Sequence, residues 1–117
     1  MSGLLLDTNI PSELIRSQPE LRIERWFYAQ DEQSLFLSAI SIGELRRGFM
    51  LLPAGKRRSQ LEHWFHHDLV PRFGRRILPV THAIADRWGI LGAERQLAGT
   101  PLDTADGLIA ATAFLGS

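Results

Sequence analysis

The sequence predicts an α/β fold, a short parallel sheet flanked by helices, and two observations carry that prediction. Strand-like runs occur three times: GLLL before Asp7, SLFLSAI at 34–40 and RRILPV at 75–80. Each run passes into a stretch whose apolar residues recur every three or four positions, the spacing of a helix with one buried side. Parallel strands cannot be joined by a tight turn, so alternating strands and helices of these lengths read as crossover units. Three strands are few for such a sheet, and the pattern calls for a further strand after the last helix that the sequence does not supply.

The elements can be justified in order. GLLLDTN, residues 3–9, is a short buried strand that delivers Asp7 to the edge of the sheet. A short helix follows from Ile10 to about Arg16, opened by Pro11, whose fixed φ suits a first turn. Asp7 or Asn9 could cap it, and with Asp7 assigned to the sheet edge the capping role moves towards Asn9. Glu20 to Ala29 is a second helix with Leu21, Trp26 and Phe27 as its apolar side. After the second strand, a helix from about Ser41 carries Ile42, Leu45, Phe49 and Leu52, and Ser41 with Glu44 forms a capping-box pattern. Pro53, Ala54 and Gly55 end it. The next helix runs from Lys56 to about Val70 with Leu61, Trp64, Phe65 and Leu69 on one face, and Pro71 and Gly74 break it. Thr81 can cap a helix bearing Ile84, Trp88, Leu91 and Leu97. After a loop at 99–102, Asp103 stands at the N-cap of a last, small-residue apolar helix with Asp106 in its first turn.

Composition narrows the function. Thirteen basic and thirteen acidic residues cancel, so no global field steers the chain onto nucleic acid, and any such contact must come from a local patch or a metal. With no cysteine there are neither disulfides nor thiolate metal sites. No apolar run approaches the roughly 20 residues that span a bilayer, and the N-terminus lacks the features of a signal peptide. The expectation is a soluble, cytoplasmic protein with no membrane partner.

Three carboxylates occupy equivalent places: Asp7 after the first strand, Glu44 in the first turn of the helix after the second, and Asp106 in the first turn of the last helix. In an open parallel sheet such positions lie along one edge, where ligands bind. Acids held together raise one another's pKa, and a divalent cation relieves that repulsion. Oxygen donors without His or Cys point to Mg²⁺ or Mn²⁺. Such an ion suits phosphodiester hydrolysis by a metal-activated water. Each acid also has a plain alternative, with Glu44 in a capping box and Asp106 favoured by the helix dipole.

Three segments in order, LLDTN, SAISIGELRRG and DGLIAATA, resemble the PIN domain, and within it the VapC and FitB-like toxins of bacterial toxin–antitoxin pairs. The resemblance implies a PIN-like three-layer fold and a Mg²⁺-dependent endoribonuclease silenced by a cognate antitoxin. The family's acids fall on Asp7, Glu44 and Asp106 as catalytic metal ligands, with Asn9 and Thr8 in support; Asp103 falls on no family acid. The family continues into another strand, with a motif resembling TRN…DF, and a last edge strand. Residues 1–117 therefore read as a single PIN-like domain that is C-terminally incomplete, with an exposed sheet edge and an uncovered last helix favouring a homodimer.

Arg46 and Arg47 are candidates for RNA contact. His63, His66 and His67 lie close on one helix, but no acid of the H-E-x-x-H kind joins them, and a solvated face explains them better. The leading expectation is an RNA-cutting toxin partnered by an antitoxin. The alternative is a shortened, catalytically inactive PIN module that acts by binding an antitoxin or itself. A receiver-like phosphoacceptor ranks below both, because Asp7 lacks the paired acid of such domains.

Overall fold

A computed structural model describes residues 3–116 of the chain. Its centre is a three-stranded parallel sheet in the order β1-β2-β3. The strands are β1 (Leu4–Leu5), β2 (Leu35–Ser38) and β3 (Ile77–Leu78). Leu4 lies opposite Leu35, and Leu37 opposite Ile77. The central strand is buried: Leu35, Leu37 and Ser38 expose 1%, 0% and 0% of their surface. That is why its sequence is apolar on both faces rather than alternating.

Two helices, α1 (Asn9–Leu14) and α2 (Leu21–Ala29), cross from β1 to β2. Helix α3 (Ala39–Met50) leaves β2 with no intervening loop. Its N-cap is Ser38, whose hydroxyl accepts from the Ile40 amide at 3.0 Å. The helix therefore starts three residues earlier than the S-x-x-E spacing suggests, and its first turn holds no acid. Ser41 and Glu44 lie inside it and make no capping box, which frees both side chains for other partners.

Helix α4 (Lys56–Trp64) does not stop before Pro71. It widens into a π-helical turn over Phe65–Leu69 and runs on as α5 (Val70–Phe73). In the widened turn the Val70 amide donates to the Phe65 carbonyl, five residues back. Proline clashes with the carbonyl four residues earlier in a regular helix; the π turn moves that carbonyl aside. The break falls instead at Gly74, whose φ of 49° is left-handed.

Helices α6 (His82–Leu97) and α7 (Thr104–Gly116) form an antiparallel pair. Thr81 caps α6 as expected, its Oγ1 accepting from the Ile84 amide at 3.2 Å. Ile84 is buried in α6, whereas Leu97 is 89% exposed and contributes nothing to the core. This pair packs chiefly on itself, with α7 also touching α3. It accounts for a radius of gyration of 15.3 Å, above the roughly 13 Å of a compact domain of this size.

The core joins Leu6, Leu35 and Leu37 of the sheet region to Leu45 and Phe49 of α3 and to Leu61, Phe65, Leu69 and Phe73 beyond. Phe49 meets the edges of Trp64 and Phe65 at ring separations of 6.4 and 5.9 Å. Among the described residues no helix is long and apolar enough to cross a membrane.

Candidate active site

The site begins where β1 ends. The Asp7 carbonyl accepts from the Ile10 amide at 3.0 Å, and its Oδ1 accepts from the Asn9 amide at 3.0 Å. Asp7 thus fixes the turn into α1 with its own carboxylate. Asn9 is the first residue of that helix and Thr8 its N-cap, whose side chain makes no capping bond; the carboxylate that accepts from the helix start is that of Asp7.

Thr8 turns its side chain towards α3. Its Oγ1 lies 2.7 Å from Glu44 Oε1 and 2.7 Å from Ser41 Oγ. A threonine hydroxyl has one proton to give. Donation to the carboxylate is the stronger, charge-assisted bond, so Ser41 donates to Thr8 and Thr8 donates to Glu44. Ser41 is fully buried, at 0% exposure, and anchors this relay from inside the helix. Glu44 is half-buried with one carboxylate oxygen held by Thr8. The first and second strand ends are therefore tied together through side chains 36 positions apart.

On its other side Glu44 faces a cleft of about 520 Å³. Ile40, Glu44, Arg47 and Gly48 of α3 form one wall; Asp103, Thr104, Ala105 and Leu108, at the start of α7, form the other. Asp103 is the N-cap its sequence position suggests, with Oδ2 accepting from the Ala105 amide at 3.2 Å. Asp106 is exposed in the first turn of α7 and does not line this cleft. Among the described residues no three His, Asp or Glu side chains gather closely enough to hold a metal ion. Asp7, Glu44 and Asp106 offer the oxygen chemistry a hard cation needs, but their arrangement in this structure is not that of a closed cage.

The two neighbouring arginines part company. Arg46 pairs with Glu62 at 2.9 Å, covers the Phe65 ring at 4.9 Å from its centroid, and places Nη2 2.6 Å from His66 Nε2. It belongs to the seam between α3 and α4. Arg47 is exposed on the cleft wall. His63 and His67 stack at 4.3 Å on the solvent face of α4, away from the acids of the site.

Two contributors carry no site signal of their own. Ser41 was hidden by its apparent capping role, and only the true helix start exposes it as the partner of Thr8. Thr104 has no signal beyond its place next to the Asp103 cap.

A parallel sheet with helices over its faces and acids following its first two strands defines an α/β domain with its site at the strand ends. The chain belongs to the PIN-domain family, whose profile matches residues 4–116. It is 37% identical over 110 residues to the VapC ribonuclease Y4jK of Sinorhizobium fredii, covering 94% of this chain and 79% of that protein. Toxin FitB of Neisseria gonorrhoeae is likewise 37% identical over 110 residues, with 94% and 79% covered. The structure of FitAB bound to an IR36 DNA fragment superposes with a TM-score of 0.89 at 36% identity, over 96% of this chain and 78% of that one.

Proposed function

We propose that this chain is the toxin of a type II toxin–antitoxin pair and acts as a metal-dependent endoribonuclease in the cytoplasm. The observation that carries the proposal is the Thr8 relay. It holds Glu44 at a fixed orientation across from the strand end that bears Asp7. The names of the similar proteins, a VapC ribonuclease and toxin FitB, support the same class. Asp7, Glu44 and Asp106 are the residues we assign to Mg²⁺ or Mn²⁺, with Thr8 and Asn9 in support.

The chain's own residues contribute position. Asp7 is locked to the first turn of α1. Glu44 is locked by a hydroxyl that is itself locked by a buried serine. Groups so held need little reorganisation when charge develops at a phosphodiester, which is the source of most electrostatic catalysis. Neither Asp7 nor Asp106 lines the cleft that Glu44 faces.

An antitoxin is the protein partner we assign, in line with the FitAB structure. The surface offered is the pocket lined by Leu14, Phe27, Tyr28, Trp64 and Phe73, with the charged Asp68 and Arg72 also in its lining. A homodimer is part of the same proposal.

Purified chain with Mg²⁺ should cut RNA, and Asp7→Asn should abolish the cutting; undiminished cleavage by that variant removes Asp7 from the site. A second reading, a PIN module that binds its antitoxin without cutting, is favoured by the position of Asp106 outside the cleft. Cleavage by the purified wild-type chain that is lost in Asp7→Asn rules that reading out.

A further inference from the structure

We propose that the cleft between α3 and the start of α7 is where the RNA backbone sits, and that Arg47 is the residue that binds its phosphate. The inference rests on the ribonuclease reading and names, within that site, the group that recognises the substrate.

Helix geometry sets up the cleft wall. On α3 the buried positions are Ser41, Leu45 and Phe49. Ile40, Glu44, Arg47 and Gly48 recur at four, three and one residues and form a neighbouring stripe that looks onto α7. Glu44 and Arg47, three apart, stand side by side on it. Gly48 has open space where a side chain would begin, so the wall next to Arg47 is low.

Charge then selects the residue. The cleft carries the carboxylates of Glu44 and Asp103 and one cation, Arg47. A phosphodiester entering beside two carboxylates is repelled, and the neutral chain supplies no global field to offset this. A metal on Glu44 offsets part of this, and the protein cation lining the cleft is Arg47. Arg46 is committed to Glu62, Phe65 and His66. The guanidinium of Arg47 makes no hydrogen bond or ion pair among the described residues. A planar guanidinium matches a phosphate with two parallel hydrogen bonds, where an ammonium offers only a point charge.

The test uses the full chain carrying Asp7→Asn, so that RNA is not consumed, and a short fluorescein-labelled single-stranded oligoribonucleotide read by anisotropy at several salt concentrations. Adding Arg47→Ala should weaken binding about tenfold, the size of one charge-assisted contact. It should also reduce the salt slope by roughly 0.7, the value for one phosphate on a single strand. Arg47→Lys should keep the slope and recover part of the affinity. Arg46→Ala should leave the slope unchanged. An unaltered slope in Arg47→Ala overturns the assignment, even if affinity falls, because lost packing has no such signature. Failure of the Asp7→Asn chain to bind RNA overturns it as well. The two readings separate cleanly. RNA held through Arg47 but not cut by the wild-type chain defeats the hydrolytic reading and keeps the cleft. RNA cut by the wild-type chain, with binding indifferent to Arg47, does the reverse.

Discussion

Replacing Thr8 with valine keeps the shape of the side chain and removes its hydroxyl, so it isolates the relay between the first strand end and α3. Two losses add. The bond to Glu44 Oε1 at 2.7 Å is charge-assisted, and such bonds contribute about 1.5–3 kcal/mol net. Ser41 Oγ, in a residue with no exposed surface, loses its acceptor, and a stranded buried hydroxyl costs about 1–3 kcal/mol. A serine inside a helix can turn back to the carbonyl four residues earlier, which recovers part of the second loss. The expected destabilisation is therefore about 3 kcal/mol, while Thr8→Ser, which restores the hydroxyl, should cost under about 1 kcal/mol. Urea denaturation measures both, with an unchanged slope showing that only stability moved. A double-mutant cycle with Glu44→Gln should give a coupling above about 0.5 kcal/mol. A loss under about 0.5 kcal/mol for Thr8→Val, or additivity in the cycle, refutes the relay.

Phe65→Ala should cost about 3–5 kcal/mol, because Phe65 is 6% exposed and its ring is met by Phe49 on one side and covered by Arg46 on the other; the urea midpoint reads it. Gly107→Ala should destabilise by about 0–2 kcal/mol: the new methyl would stand 2.8 Å from Trp88 Cδ1, and overpacking of about 1–3 kcal/mol outweighs a helix-propensity gain of about 1 kcal/mol. A shift in Trp fluorescence should accompany it. The Arg72 guanidinium holds the Glu32 carboxyl below its ordinary 4.5, so the stability this pair contributes is present above that pH and lost as pH falls through the lower, folded value. Glu32 is partly exposed, which keeps the effect small, and Glu32→Gln should flatten the acid limb of a stability–pH curve.

The parallel sheet was legible because buried strands write themselves as short apolar runs, and both LLL and LFLS did so. The Asp103 and Thr81 caps were legible because capping is local chemistry. What failed was the choice between overlapping local signals. SAISIGE offers two serines as caps, Ser41 with Glu44 three residues on, and only packing decides that Ser38 caps while Ser41 turns to Thr8. Pro71 reads as a stop because the rule assumes a regular helix; the π turn that evades it has no sequence signature. Of the site, Asp7 was legible as an acid following a strand, whereas Glu44, expected in a first helical turn, stands inside α3, whose first turn carries no acid. The link from Thr8 to Glu44 was not legible, because a hydroxyl acting across 36 positions leaves no periodic trace.

Asp106 is the acid whose place depends on packing rather than on the sheet. It precedes Gly107, whose backbone lies so close to the Trp88 indole that an added methyl would collide with it. Gly107 thus marks a close approach of α7 to α6. Asp7 follows β1 and Glu44 is held on α3 by Thr8; Asp106 belongs to a helix pair that packs mostly on itself. If the three acids share an ion, binding must draw the start of α7 towards α3, and the binding energy appears as stability. At a hundredfold excess over its Kd, an ion that binds only the folded chain adds about 2.7 kcal/mol. Urea midpoints with and without Mg²⁺ should therefore rise for the wild-type chain and rise much less for Asp106→Asn and for Glu44→Gln. An equal rise in wild type and Asp106→Asn removes Asp106 from the ligand set and leaves an ion held from the α3 side of the cleft alone.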